Sequence, residues 1–463
     1  MNPQGERWTT DQVLALAPDE ASRRAGGKLA TPGPWSETGA DESAVWGQCK
    51  GSGKKPYQTV VNLNGPAFTC SCPSRKFPCK HALGLLLLWA GGGREVAAGE
   101  PAQWVGEWLA GRREREGRSA GAAAGGGAPA RAPADPEAAR RRAERRMQRI
   151  GAGATELEQR LEDLLQSGLA SAGRADGALS LSGAGGGGSW DETAARMVDA
   201  QAPGLASRVR ELGSAAASGP DWPARLLEEC ALLHLLDQGF LGIERLPAPL
   251  AATVRSRVGL TTEAADLLTG PEATTVRDRW LVLAQQDSDD GKLITRRVFL
   301  RGERTGRMAL HLAFGASNRP LDLALPPGVA LDADLAYYPG ARPLRVALGE
   351  RHAPVVPGPV PAGCGVDAAL AAYGDALRDD PWLDAWPVVL SEVTPVPGPD
   401  GGSWQLADAD GESALPLDPR CLGRTSLWQL AAISGGAPIT VFGECGHRGF
   451  LPLTVWDPAP VSL

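Results

Sequence analysis

Four side chains stand at a spacing that can hold a metal ion: Cys70, Cys72, Cys79 and His81, in the order C-x-C, six residues, C-x-H. Cys70 and Cys72 follow two extended runs, Thr59–Leu63 and Ala67–Thr69, joined by Asn64, Gly65 and Pro66. Asn-Gly between apolar runs predicts a hairpin. Residues two apart on a strand point to one side, so both thiols can face one ion. Pro73 and Pro78 keep the intervening loop from becoming a helix. From His81 the chain reads HALGLLLLWA, an apolar helix. Three thiolates and an imidazole suit tetrahedral Zn2+ and leave no ligand position for a substrate. No carboxylate is placed to act as a general base, so the zinc is read as structural.

Redox use of Cys70 and Cys72 is the competing reading. Their spacing is not the C-x-x-C of dithiol exchange, and that reading leaves Cys79 and His81 unexplained. The chain holds no phosphate loop, dinucleotide fingerprint, nucleophile elbow or H-E-x-x-H pair. Cys445 and His447 repeat the C-x-H spacing, but Gly446 and Gly449 make that segment a turn between strands. Cys230 and His234 fall in a helix with no partner at metal spacing. No catalytic and no cofactor-binding residue is assigned, and the chain is read as not an enzyme. An unrecognised active site in the C-terminal domain is kept as an alternative.

The segment from Cys49 to Tyr57 and the block Cys70–His81 resemble bacterial SWIM-type zinc finger proteins, with all four ligand positions filled. The resemblance covers roughly residues 46–89. It implies binding of DNA or of protein partners, an ATPase or a von Willebrand factor A type protein among them, and it implies no catalytic residues.

Around the same block lie Lys50, Lys54, Lys55, Arg75, Lys76 and Lys80, dense for a chain so poor in lysine. A basic surface of this kind can meet phosphates, DNA being favoured over RNA. The competing reading is solubilising charge beside a small apolar core, since no aromatic platform is interleaved with the lysines and no base-reading helix is recognisable. The formal net charge of -7 opposes a protein coated for non-specific nucleic-acid binding. Eight cysteines in 463 residues are too few for a secreted disulfide framework. The N-terminus has no apolar signal core and no run is long enough to span a membrane, so a cytoplasmic protein without membrane partners is expected.

The elements that must position the cluster follow from the patterning. Short helices are expected at Asp11–Ala17, capped by Thr9 or Thr10, and at Asp19–Lys28. Thr31–Gly39 reads as irregular and Val45–Gln48 as a strand. The apolar helix after His81 needs a covering layer, for which Ala102–Leu109 is the expected partner. Between Ala110 and Ile150 the chain carries 11 arginines against 5 acids. Ser119–Pro136 reads as a flexible linker, and Arg140 to Arg149 as a basic helical surface. Leucine stripes then predict about six helices to Gly270, one carrying Leu157, Leu161, Leu164 and Leu165, another Leu226, Leu227, Cys230, Leu233 and Leu236. After Pro271 the period becomes that of strands, and Trp280–Gln286, Leu293–Arg301 and Met308–Phe314 suggest an antiparallel meander.

The expected fold is thus multidomain α+β: a small zinc-stabilised hairpin-helix domain over residues 1–110, a basic linker over 111–150, a helical domain over 151–270 and an antiparallel-sheet α+β domain over 271–463. The expected function is that of a zinc-binding adaptor or nucleic-acid-binding protein, or of a protein–protein adaptor that binds no nucleic acid.

Overall fold

The structure is a computed structural model. It describes residues 7–17, 20–51, 55–63, 67–74, 76, 78–92, 95–111, 136–169, 190–216, 218, 221–271, 273–289, 293–316, 325–398, 403–421 and 425–463. The turn Asn64–Pro66, the run Ser119–Asp135, Ser189, Lys54 and Arg75 lie outside the described residues.

The N-terminal domain is a four-stranded antiparallel sheet with helices on both faces. Its strands are β1 (Trp35–Ala40), β2 (Ala44–Cys49), β3 (Tyr57–Asn62) and β4 (Ala67–Cys70), in sequential order. Alternation along β2 and β3 decides what each face meets. Val45 and Val61 join one core with α3 (Lys80–Ala90), on which α1 (Thr10–Ala15) and α2 (Glu20–Gly27) also pack. Ala44, Trp46 and Val60 join a second core with Val105 and Leu109 of α4 (residues 103–111). The expected pairing of α4 with α3 is therefore corrected: the sheet separates them, and α3 is covered by α1 and α2 instead. Thr9 caps α1 in a capping box with Gln12. β1 corrects the expectation of an irregular segment. It carries a bulge between Ser36 and Gly39 and a left-handed Glu37 (φ 49°), which hide the period of two.

The helical region comprises α5 (Pro136–Ser167), α6 (Trp190–Asp199), α7 (Pro203–Ala216), α8 (Trp222–Leu241) and α9 (Ala248–Val258), which share one core. Leu157, Leu161, Leu164, Leu226, Cys230, Leu233 and Leu236 are buried in it as their spacing predicts. Leu165 and Leu227, placed on the same stripes, are exposed instead. A short α10 (Ala264–Thr269) leads into the sheets.

The meander expected after Pro271 is only part of a barrel. Strands β5 (Thr275–Asp289), β6 (Leu293–Gly302) and β7 (Met308–Ala316) are sequential and antiparallel. β8 (Val329–Tyr337) then returns to pair with β5, and β9 (Arg345–Arg351) pairs with both β8 and, in parallel, β7. The ring β5-β6-β7-β9-β8 is closed, and Trp280, Val298, Ala309, Leu331 and Val346 fill it. β10 (Val356–Pro357) adds to β8.

A second antiparallel sheet is built from β11 (Ala385–Pro397), β12 (Trp404–Asp408), β13 (Ala414–Pro416), β14 (Ile439–Gly446), β15 (Gly449–Asp457) and β16 (Ala459–Ser462), in the order β13-β12-β11-β14-β15-β16. Its helices α11 (Val366–Asp379) and α12 (Thr425–Ser434) pack on one face. The other face, through Val389, Phe442 and Trp456, meets Leu281, Leu283 and Phe299 on the outside of the barrel. His447 sits in the β14–β15 turn as expected, whereas Cys445 is a buried residue of β14, paired with Trp386 and Phe450.

Specific polar contacts tie these parts together. The buried Gln12 side chain donates to the Gly328 carbonyl at 3.2 Å, joining the N-terminal domain to the barrel. Trp382 inserts into the helical core, and its indole donates to the Leu232 carbonyl at 2.9 Å. Arg257 of α9 grips Asp380 with both arms at 3.0 and 2.6 Å. No helix among the described residues is long and apolar enough to cross a membrane.

Candidate metal centre and its basic rim

Each of the four predicted ligands reaches the centre from a separate constraint. β4 pairs with β3 so that Cys70 lies opposite Thr59, and Cys72 follows just past the strand end. Cys79 is the N-cap of α3 with extended backbone (φ -73°, ψ 166°), and its carbonyl opens the helix by accepting from the Leu83 N–H. His81 lies in the first turn. Residues His81 to Trp89 of α3 are all buried, so the helix that carries the histidine is held by the core on every side. Burying leucines of this size stabilises by about 1.5–3 kcal/mol each, which anchors the imidazole indirectly.

The ligand atoms of Cys70, Cys72, Cys79 and His81 all lie within 4.8 Å of one another. The Cys70 sulfur is 3.7 Å, and the Cys79 sulfur 4.0 Å, from His81 Nδ1. Tetrahedral zinc with its usual bond lengths has sulfur–nitrogen edges of about 3.5 Å, so the four donors fit the ion with small adjustment. Nδ1 is the nitrogen turned to the sulfurs, a detail that spacing does not reveal. The Tyr57 ring lies against the imidazole, centroids 4.9 Å apart, and limits its rotation.

Electrostatics of the centre favour one thiolate at the expense of its neighbours. The Cys70 thiol is drawn down to about 4, chiefly by its hydrogen bond with Cys79, with His81 and Thr59 adding to this against the effect of burial. Thr59 Oγ1 is 3.3 Å from the Cys70 sulfur. The Cys79 thiol is pushed up, first by sharing its proton with Cys70 and then by burial. Burial also raises Cys72. Three sulfurs this close cannot all be negative without a cation among them.

Beside the centre opens a cavity of about 580 Å³ lined by α2, the segment after β2, the ligand loop and the start of α3. Lys50, Lys76 and Lys80 line it together with Tyr57, Cys72 and His81, and none of its described lining residues is acidic. The structure thus brings three of the six predicted basic residues to one recess. Lys55 is exposed outside that lining, and Lys54 and Arg75 are not among the described residues. An aromatic wall, Tyr57, stands in the recess two residues beyond Lys55 in the chain, which corrects the expectation that the lysines lack an aromatic platform. The ring enters through strand pairing, since Tyr57 is opposite Cys49, next to Lys50.

Two family models match the chain in separate places. Residues 60–90 match the SWIM zinc finger, and residues 145–258 match the SWIM-associated four-helix bundle domain. The chain therefore contains both of these domains. The second match spans much of α5 and continues to the end of α9, a unit that helix patterning alone resolves only as an array. No curated protein and no solved structure matches the chain.

Proposed function

We propose that the chain binds nucleic acid, DNA before RNA, through the basic recess beside a structural zinc ion. The observation that carries this reading is the convergence of Lys50, Lys76 and Lys80 on one cavity with no described acidic lining residue. Ammonium groups around a recess supply the phosphate contacts that dominate nucleic-acid affinity. The zinc acts by holding the ligand loop to α3, which sets Lys76 and Lys80 at a fixed separation. With four protein donors it has no place for a reacting water.

The adaptor reading needs an apolar docking surface near the post-finger helix. Residues 81–89 of α3 are buried within their own domain, so that helix itself offers a partner little apolar surface, which supports the nucleic-acid reading. The test is fluorescence anisotropy of zinc-loaded protein with duplex DNA, single-stranded DNA and RNA of equal length. Binding to duplex DNA that is lost in a combined Lys50→Glu, Lys76→Glu, Lys80→Glu variant of unchanged zinc content supports the reading. Absence of binding to all three ligands refutes it.

A further inference from the structure

A second group of metal-binding side chains lies on the outer wall of the barrel, far in sequence from the zinc finger. Asp334 of β8, Glu350 of β9 and His352 just beyond it place one ligand atom each within 4.8 Å of one another. Backbone geometry accounts for the convergence. Ala333 pairs with Arg351 and Leu335 with Leu348, so Gly349 and Glu350 together face Asp334 alone. This is a β-bulge, a device that re-aims side chains. A Cβ on Gly349 would stand 3.0 Å from the Asp334 carbonyl oxygen, a tight approach that glycine relieves. The His352 N–H donates to the Asp332 carbonyl at 2.9 Å, fixing the third residue against β8.

The charge around the group is unbalanced. His352 Nε2 is 2.9 Å from Asp334 Oδ2. Glu350 accepts no hydrogen bond and makes no close ion pair among the described residues. Arg277, the neighbouring cation on β5, is engaged by Asp332 with both arms at 3.0 and 2.9 Å. Arg277 also lies opposite Asp334 in the strand ladder and within electrostatic reach of Glu350, so its guanidinium is shared among the carboxylates of Asp332, Asp334 and Glu350 around the imidazole. A divalent cation would neutralise both carboxylates and replace the Asp334–His352 contact with two bonds to metal.

We infer that Asp334, Glu350 and His352 form a second metal site, for a divalent first-row transition ion. The imidazole favours such ions over Mg2+ or Ca2+, and the two oxygen donors distinguish the site from the thiolate finger. Three protein donors on a partly exposed wall leave the remaining positions to water.

The experiment uses the full chain with its finger first saturated by zinc and excess metal removed. Mn2+ is titrated and followed by electron paramagnetic resonance, because a hard ion does not compete for the thiolate centre. Zn2+ uptake beyond the finger's equivalent is measured in parallel. Wild type is expected to take up a further saturable equivalent of metal. His352→Ala and Glu350→Gln are expected to weaken it at least about tenfold while leaving the finger zinc in place. Glu350 is exposed and unbonded, so its substitution tests the site without threatening the fold. No uptake of either ion beyond the finger, which would mean an ordinary Asp–His pair only, overturns the inference. Equal uptake by wild type and a folded Glu350→Gln protein overturns it too.

Discussion

Replacing Asp237 by asparagine should flatten the pH dependence of the helical bundle. Asp237 of α8 is 0% exposed, and neither of its carboxyl oxygens has a hydrogen-bond partner among the described residues. Burial, followed by the neighbouring charge of Glu158, pushes its carboxyl up to about 9 from an ordinary 3.8. Glu158 of α5 is itself buried. Its Oε2 meets His234 and Gln238 at 2.7 Å each, while its Oε1 has no described partner. A protonated Asp237 can donate to that free oxygen; an ionised one cannot. The sign follows from linkage. Below the unfolded value of 3.8 both states hold the proton and the bundle has its full stability. As pH rises toward 9 the unfolded chain releases the proton and the folded chain keeps it, so stability falls through this window. The slope has a ceiling of about 1.4 kcal/mol per pH unit, hence about 3 kcal/mol between pH 5 and pH 7. Asparagine has the same shape, no proton to lose, and an N–H for Glu158. Hydrogen-exchange protection of α8, corrected for intrinsic rates, should fall with pH in wild type and stay level in Asp237→Asn. Parallel profiles for the two proteins would refute the reasoning.

Cys79→Ala should abolish stoichiometric zinc binding and unfold the N-terminal domain, since the ion's binding energy is also folding energy. Metal analysis and proteolysis of residues 20–92 would report it, and full zinc retention would contradict the assignment. Arg257→Ala should destabilise the contact between the bundle and the C-terminal sheets by about 3 kcal/mol, because it strands Asp380 inside. The side chains of Arg257 and Asp380 are 22% and 8% exposed. Thermal unfolding should separate into two transitions in this variant, and a melting curve equal to wild type would count against the clamp.

Legibility in the sequence followed the range of the interactions. The candidate metal cluster is legible because the whole unit spans twelve residues, Cys70 to His81, with its geometry set by one hairpin and one helix start. Helix stripes in α5 and α8 were readable except at Leu165 and Leu227, where leucine on the edge of a stripe is left uncovered. β1 was hidden by its bulge and by the backbone at Glu37. The covering partner of α3 is not legible in the sequence, because two apolar helices look alike until the alternation of Val45 against Ala44 and Trp46 assigns each to a face. Barrel closure rests on the parallel pairing of Leu310 with Arg345 and His311 with Val346, which no local pattern announces. The approach of Glu158 to His234 crosses 76 residues and has no local signature for the same reason.

The most direct test of the central claim is a salt titration of duplex DNA binding by metal-quantified protein, beside the combined Lys50, Lys76 and Lys80 variant. Three lysine–phosphate contacts give a slope of about -2.7 in log affinity against log salt, or roughly 40-fold weaker binding for an about fourfold rise in salt. The account predicts that slope in wild type and its loss in the variant, with the zinc content of both unchanged. Binding that is insensitive to salt, or as strong in the variant as in wild type, would contradict it.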